Sequence, residues 1–375
     1  MSRSPLSRSQ LLSTRVYLTA VAVLAAVVVL VAALLAFLPG SSGSSGTAVA
    51  AETTPPAAVN AFLKGYMNPD GRVVRRDQGG DTVSEGQAYA MLMAAATGER
   101  RPFALAWGWA KAHLLQPDGL MAWRWSGGAV AGKQPATDAD LGAAAALVMA
   151  AHRFSDGAYL ADAHRMADAI LAHESVTTRA GTTLVAGPWA RRPTAYVDPS
   201  YLSAAEIHQL VDAFGGRWNG IAYTVTAELE SLARNRSLIP DWTVVGAGGT
   251  LRPTPRPGST GAKVRYGFDA ARAPIWMASS CNAGLRAAAA SLGPKLRREH
   301  GMVDLTLNGR PDPGVSHPVG TLAEAAADIA AGRAPAAWGL VRQAIVANRA
   351  HPTYYGSAWI ALSVLAFDHI LEPCS

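Results

Sequence analysis

The chain has 375 residues, of which half are hydrophobic and 16% are charged, and this composition supplies a large core and excludes global disorder. The formal net charge is +6, but three of these charges come from Arg3, Arg8 and Arg15, in a stretch before residue 50 that contains no acid. The remainder has no stripe of Lys and Arg residues, so binding to nucleic acid is not expected.

The first element in chain order is an uncharged apolar run at 17–38. As a helix it would be about 33 Å long, which is enough to cross the core of a bilayer. Because the arginines precede it, we expect the N-terminus in the cytoplasm and the rest exported to the periplasm or another extracytoplasmic space. Its length favours an uncleaved signal anchor. The Ala48-Val49-Ala50 sequence resembles a cleavage site, so a secreted form cleaved near Ala50 is the alternative.

The sequence predicts three parts. Residues 1–38 form the cytoplasmic tip and the signal helix, residues 39–54 form a linker rich in Gly, Ser and Pro, and residues 55–375 form one folded domain. No break in composition marks a second domain. The Pro- and Gly-rich stretch at 251–261 is predicted to be a surface loop of that domain.

The folded part is predicted to be all-α. Alanine is abundant and favours helix, and strand-like runs are as short as "TTLVAG" at 182–187. Helices alternate with short connections, which indicates helical hairpins arranged as a bundle, a solenoid or a closed barrel. The predicted helices lie near 84–97, 102–115, 138–154, 158–173, 200–214, 220–235, 270–290, 321–332, 336–349 and 355–369.

Two of these helices start with the sequence pattern of a capping box. Ser84-Glu-Gly-Gln87 fits the pattern, and Thr137-Asp-Ala-Asp140 fits it with Asp at the last position. In each, a carboxylate follows the predicted cap, and these residues are Glu85 and Asp138. We interpret Asp140 as part of a cap.

Other helix starts also carry acidic or aromatic side chains. Asp198 offers a cap followed by proline, Asp269 precedes an apolar segment, and Tyr354 and Tyr355 precede another. If the inner helices run parallel, their starts meet at one end of the fold. That arrangement would gather five residues around one cavity: Glu85, Asp138, Tyr201, Asp269 and Tyr354. Taken singly, each carboxylate is more often a helix cap, because the free N–H groups favour it.

Tryptophans flank the helices and supply flat aromatic faces. Such faces suit sugar rings, although packing in the core or under a lid is the alternative interpretation. The residues concerned are Trp123, Trp125, Trp189 and Trp242. Trp107 and Trp109 lie inside a predicted helix and are expected in the core.

Several motifs are absent from the sequence. It has no HExxH zinc motif, no phosphate-binding GxxxxGK[ST] loop and no G-x-S-x-G nucleophile turn. We therefore expect neither a metal nor a cofactor, and carboxylate chemistry is what remains. The two cysteines, Cys281 and Cys374, are compatible with a disulfide or with two unpaired residues.

Taken in order, several stretches resemble glycoside hydrolase family eight, the cellulase D family, and within it the periplasmic endoglucanases of bacterial cellulose-synthesis operons. The most specific stretch is 136–154, which follows the signature A-[ST]-D-[AG]-D and departs from it only at the packing position Ala143. The resemblance implies an (α/α)6 barrel with a cleft at the starts of the inner helices. The matching stretches are 84–94, 120–125, 136–154, 198–203, 240–242 and 266–276.

The resemblance also implies roles for individual residues. Glu85 matches the general acid, and Asp269 matches the general base of the subgroup that holds cellulases and xylanases, which argues against chitosan as substrate. Asp138 matches the residue that binds and distorts the sugar at the cleavage point. The other matches are Arg272, which supports the site, and the cleft residues Trp123, Tyr201 and Trp276.

The implied reaction inverts the anomeric centre, which needs carboxyl groups roughly 6.5–9.5 Å apart to admit a water. One difficulty is that the N-terminus of a helix lowers the pKa of Glu85, whereas a general acid needs its proton. Burial, or a negatively charged Asp138 nearby, would raise that pKa. We hypothesise that Asp138 keeps Glu85 protonated.

The function expected from the sequence is endo-hydrolysis of β-1,4-glucosidic bonds in cellulose or a related β-glucan, linked to bacterial cellulose synthesis. The expected partners are the polysaccharide, the membrane through residues 17–38, and the cellulose synthase machinery. The alternatives are an endo-xylanase or mixed-linkage glucanase of the same fold, or a non-catalytic glucan-binding protein of an export system. A more distant alternative is a polysaccharide lyase, which would need a Tyr, His or Lys base.

Overall fold

The computed structural model describes residues 53–234, 237–246 and 248–374. The predicted membrane or signal helix at 17–38, nearly all of the linker and the Ala48-Val49-Ala50 sequence lie outside these residues. Within them, no helix is both long enough and apolar enough to span a membrane.

The helices of this part of the chain form an all-α barrel. Even-numbered helices are inner and odd-numbered helices are outer, so each hairpin pairs one of each. The helices are α1 Pro55–Tyr66, α2 Ser84–Thr97, α3 Arg100–His113, α4 Thr137–Phe154, α5 Gly157–His173, α6 Ala204–Phe214, α7 Arg217–Leu232, α8 Ala273–Ser279, α9 Ala283–Arg298, α10 Pro318–Ala330, α11 Ala334–Ala350 and α12 Tyr354–Phe367.

The inner ring closes on itself. Helix α2 packs on α4, α4 on α6, α6 on α8, α8 on α10, α10 on α12, and α12 back on α2. Inner helices are buried on nearly all sides, as in α4, where Ala143 to Ala146 are fully buried. Outer helices bury one stripe. The predicted (α/α)6 barrel is confirmed by this arrangement, and small alanine side chains let the inner helices approach closely.

Close approach also explains a glycine at the start of α2. A Cβ on Gly86 would lie 2.6 Å from the Tyr354 hydroxyl oxygen, which is nearer than real side chains come. Gly86 therefore lets the starts of α2 and α12 lie against each other.

Because inner and outer helices alternate along the chain, all inner helices point the same way. The connections that lead from an outer to an inner helix therefore lie at one end of the barrel. They carry the short strands β1 Thr82–Val83, β2 Arg124–Ser126, β3 Ala129–Gly132, β4 Ser175–Thr178, β5 Gly181–Leu184, β6 Tyr196–Val197, β7 Thr243–Val245, β8 Leu251–Pro253, β9 Met302–Leu305 and β10 Pro311–Ser316.

The strands form small antiparallel sheets in the orders β1-β2-β3, β4-β5, β6-β7-β8 and β9-β10. Register pairs Thr82 with Trp125 in the first sheet and Tyr196 with Val244 in the third. These sheets fix the loops at the end where the inner helices start. The predicted strand near 182–187 corresponds to β5, and the stretch at 251–261 begins with β8 and continues as a loop of the domain.

The predicted set of helices needs correction at two places. The window 270–290 is two helices and not one, because the chain breaks after Ser279 and Asn282 caps α9 by accepting a hydrogen bond from the Leu285 N–H. Helix α1 was not predicted. The break also contains Cys281, which forms a disulfide with Cys374. The bond ties the C-terminal segment to the start of α9.

Candidate active site

One buried guanidinium connects the starts of several inner segments. Arg272 has a side chain only 2% exposed. Its Nη1 donates to Glu85 Oε1 at 2.7 Å and to Asp138 Oδ2 at 3.2 Å. Its Nη2 donates to Ser200 Oγ at 2.6 Å and to Asp269 Oδ1 at 3.2 Å. The structure thus brings together the three carboxylates that the sequence had placed at separate helix starts.

A chain of hydrogen bonds and an aromatic ring hold the guanidinium in place. The Ser200 hydroxyl accepts from Arg272 and donates to Asp198 Oδ1 at 2.7 Å. Asp198 also accepts from the Ser200 N–H, so the predicted cap is present, although it caps the short 3-10 helix Pro199–Tyr201. The Tyr201 ring centroid lies 5.2 Å from the Arg272 Cζ. Sequence reasoning did not identify Ser200 as part of the site.

The predicted capping boxes are wrong at both inner helices. Neither α2 nor α4 has a side-chain cap at its N-cap residue, which is Val83 in the first and Ala136 in the second. The Gln87 side chain accepts from the Val73 N–H and donates to backbone carbonyls, while Thr137 Oγ1 donates to the Val185 carbonyl. Polar residues at these starts therefore anchor neighbouring loops, which is a tertiary role that local sequence does not specify.

Asp140 also has a different role from the predicted cap. It is fully buried, and its Oδ1 accepts from the Met121 N–H at 2.8 Å. Burial raises the pKa of Asp140 well above its usual value, and burial likewise raises that of Glu174, whose pKa the nearby Asp140 raises further. This buried acid pair lies behind the loop that carries Trp123.

Glu85 keeps partial access to solvent, with its side chain 20% exposed. Burial raises the pKa of Glu85 and the neighbouring Asp269 adds to the rise, whereas Arg272 and the Tyr89 hydroxyl lower it. That hydroxyl donates to Glu85 Oε1 at 2.7 Å. Tyr89 lies four residues after Glu85, on the same face of the helix, so this spacing could have identified it from the sequence.

Asp138 is the partner of Glu85 in a shared titration. Burial, followed by repulsion from Glu85, raises the pKa of Asp138 to about 7. The hypothesis from the sequence named Asp138 as the acid that raises the pKa of Glu85. In the structure Asp269 raises the pKa of Glu85, and repulsion between Glu85 and Asp138 raises the pKa of Asp138. The effect of Asp138 on Glu85 stays a prediction. Glu85 and Asp138 touch the same nitrogen of Arg272, so their protons come off as a coupled pair.

Because that coupling is reciprocal, Asp138→Asn is expected to shift the alkaline limb of the pH profile of kcat/KM to lower pH by about one unit. Removing one carboxyl removes the repulsion that holds a proton on the pair as pH rises. The measurement is kcat/KM on a soluble glucan from acid to mildly alkaline pH. Asp168→Asn, at an exposed position of α5, should leave the limb in place. An unmoved limb in Asp138→Asn would refute the coupling.

Asp269 is positioned by a second aspartate. Asp241 Oδ1 accepts from the Gly267 N–H at 2.8 Å and from the Ala270 N–H at 2.9 Å, so it clamps the turn that carries Asp269. A Cβ on Gly267 would collide with the Asp241 carboxylate. The Asp269 side chain is 40% exposed, the most open of the three carboxylates. It is therefore the one that water reaches most freely.

An aromatic cavity of about 530 Å³ extends from this charged centre. Trp123 and Trp189 are 39% and 38% exposed, so their faces are available to a ligand. The Trp189 and Trp242 rings lie 6.1 Å apart. Tyr201, the ring under Arg272, belongs to the same cavity. The cavity is lined by Trp123, Trp189, Tyr196, Tyr201 and Trp242, among others.

Other aromatic residues lie elsewhere. Trp125 packs on Trp109, and Trp107 and Trp109 are buried as predicted. Tyr354 and Trp276 were expected at the cleft, but they are 1% and 4% exposed. Their placement corrects that expectation.

The reason for this burial is packing against neighbouring helices. Tyr354 stacks edge-on against Tyr66, and Trp276 packs edge-on against Trp359. No group of three or more His, Cys, Asp or Glu side chains in the described ranges has the arrangement that would hold a metal ion.

Comparisons with known proteins identify the family of the chain. Residues 41–295 match the model of the family described as glycosyl hydrolases family 8. A probable endoglucanase of Novacetimonas hansenii is 32% identical over 257 residues, which cover 64% of this chain and 73% of that protein.

Solved structures show the same fold. An endo-β-1,4-glucanase of Acetobacter xylinum is 26% identical with a TM-score of 0.68, covering 84% of this chain and 99% of that one. A β-1,3-1,4-glucanase of Paenibacillus sp. X4 is 19% identical with a TM-score of 0.73, covering 88% and 94% of the two chains.

Proposed function

The chain belongs to glycosyl hydrolase family 8, and we propose from this premise that it hydrolyses internal β-1,4-glucosidic bonds of cellulose or a related β-glucan with inversion. The observation that carries the proposal is the pair Glu85 and Asp269, held on different nitrogens of Arg272 beside an aromatic cavity. Aromatic faces accept sugar rings, and two carboxylates supply the acid and the base.

Glu85 is the proton donor in this proposal. Its pKa is raised by burial, so it holds a proton closer to neutral pH than an exposed glutamate does. It passes that proton to the glycosidic oxygen as the bond breaks. The Glu85 carboxylate left behind is then stabilised by Arg272 and by the Tyr89 hydroxyl, which both contact Oε1.

Asp269 is the base. It is the more exposed carboxylate, and it removes a proton from a water that attacks the anomeric carbon on the opposite face of the sugar. Arg272 contacts both carboxylates through separate nitrogens, so it fixes their spacing. Asp138 accepts a hydrogen bond from the same Arg272 nitrogen as Glu85. In this proposal it faces the sugar at the cleavage point and binds its hydroxyls.

The substrate is tested by measuring reducing ends released from carboxymethyl cellulose, mixed-linkage glucan and xylan, with proton NMR of the first products to assign the anomer. Fastest release from the β-1,4-glucan with α-anomeric products is the expected result. Faster release from xylan or from mixed-linkage glucan would change the proposed substrate but leave the proposed acid and base roles unchanged. Retention of the β-anomer would refute the inverting roles of Glu85 and Asp269.

Export of the catalytic domain is also proposed. The uncharged run at 17–38 follows three arginines, and a disulfide joins Cys281 to Cys374, which supports an oxidising compartment. In this setting the domain acts on glucan made by cellulose synthase machinery. The domain itself is either held at the membrane or released by cleavage near Ala50. Mass spectrometry of the mature N-terminus distinguishes the anchored form from the cleaved form.

A further inference from the structure

A second cavity of about 400 Å³ lies beside the proposed base. Its lining includes three carboxylates, Asp241, Asp269 and Asp304, and three cationic side chains, Arg256, Lys263 and Arg265. It adjoins the aromatic cavity, because Trp242 and Arg256 line both. We refer to it as the basic side cavity, after the three cationic side chains in its lining. Because the proposed base Asp269 belongs to its lining, this cavity lies next to the position where the sugar chain would be cut.

The basic residues of this cavity differ in how their charge is compensated. Lys263 Nζ donates to Asp312 Oδ1 at 2.9 Å, and Arg265 Nη1 donates to Asp304 Oδ1 at 3.2 Å. The Arg256 side chain has no hydrogen bond or ion pair to any residue in the described ranges. Its position on the loop after β8 exposes it to solvent. Arg256 is thus the basic group of this cavity that is open to a ligand.

We infer that the basic side cavity binds an anionic substituent, such as a carboxylate, carried by a hydroxyl of the sugar chain next to the cleavage point, and that Arg256 is the residue that selects it. This inference rests on the proposed function. A guanidinium offers paired donors that match the two oxygens of a carboxylate. An unsubstituted glucan would fill the aromatic cavity and leave the basic side cavity to water.

The inference makes a prediction about charge selectivity. Arg256→Gln is expected to lower the ratio of kcat/KM on carboxymethyl cellulose to kcat/KM on hydroxyethyl cellulose by about threefold to fivefold, the range of a partly exposed ion pair. The two polymers should have matched length and degree of substitution, so that only the charge of the substituent differs. The effect should shrink at high salt, because salt screens exposed charges.

Two matched variants make the result specific. Arg252→Gln removes a positive charge from strand β8, four residues before Arg256 and outside the lining of the cavity, and should leave the ratio near that of the wild type. Arg256→Lys keeps the charge and should retain most of the preference.

The possible outcomes separate this inference from the proposed function. If Arg256→Gln lowers kcat/KM equally on both polymers, or on neither, the inference is overturned while the proposed function stands. If Arg252→Gln changes the ratio as much as Arg256→Gln does, the selectivity is a general effect of net charge and the inference is again overturned. If the wild type cleaves neither polymer, the proposed function fails and the inference fails with it.

Discussion

Replacing Glu85 by glutamine is expected to lower kcat on a soluble β-1,4-glucan by about 10²- to 10⁴-fold, the contribution typical of a positioned general acid. Glutamine has the size of glutamate and can keep a contact with Arg272, but it has no proton to give to the leaving oxygen. The barrel should remain folded, and KM should change little. The measurement is steady-state release of reducing ends, with circular dichroism to check the fold.

A change of leaving group tests the acid role more directly. An aryl cellobioside with a good leaving group needs little protonation, so Glu85→Gln should lose much less activity on it than on glucan. Asp269→Asn should lose activity on both substrates, because both need the attacking water. Glu99→Gln, just before α3 at the other end of the barrel, is the matched control and should behave as the wild type. Equal losses on both substrates in Glu85→Gln would exclude the acid role.

Replacing Arg272 by methionine is expected to lower the free energy of unfolding by about 3–5 kcal/mol near neutral pH, the cost of removing one partner from a buried ion pair. The change leaves Glu85, Asp138 and Asp269 without their shared positive charge. Activity should fall with it, because the spacing of the carboxylates depends on the same guanidinium. Denaturant unfolding measures the stability, and kcat on a soluble glucan measures the activity.

The pH dependence of this loss has a definite sign. Asp138 already has a pKa of about 7 in the folded protein, above that of an unfolded aspartate. The stabilisation that such a group gives the folded state is fully present below the pKa of the unfolded state. It is lost as pH rises through the pKa of the folded state. Without Arg272 the folded pKa rises further. The loss in free energy of unfolding caused by Arg272→Met should therefore be small near pH 4. It should increase as pH rises to about 7 and above.

Arg265→Met is a suitable control for the loss of an arginine. Arg265 forms an ion pair with Asp304, and its side chain is 39% exposed. Exposed pairs of this kind contribute about 0–1 kcal/mol to the free energy of unfolding. Its deficit should be small and nearly independent of pH. A deficit in Arg272→Met that does not change with pH would show that lost packing, and not uncompensated charge, causes the instability.

Much of the fold and part of the site could be predicted from sequence. Alanine-rich apolar runs of helical length allowed most of the helices to be predicted, because helix formation depends on residues that are close in the sequence. Glu85, Asp138 and Asp269 were found at helix starts because short hydrophobic segments follow them. The aromatic residues Trp123, Trp189 and Trp242 were noticed because they flank helices, and they line the cavity.

Local sequence could not predict which polar groups meet across the barrel. Ser84, Gln87 and Thr137 fit capping patterns, yet their side chains do not cap α2 or α4. Tyr354 resembled a cleft residue at a helix start, but neighbouring helices bury it.

The sequence by itself predicted helical hairpins with acidic and aromatic side chains at their starts, and the resemblance to family eight implied a barrel with its cleft at the starts of the inner helices. Only the tertiary structure decided that these starts converge on Arg272, that Asp241 fixes the turn that carries Asp269, and that Glu85 and Asp138 share one nitrogen of Arg272. The physical reason is that helix periodicity is set by residues within a few positions, whereas burial and Coulomb interactions depend on distances in space. In this site they act between residues as far apart in the chain as Glu85 and Arg272.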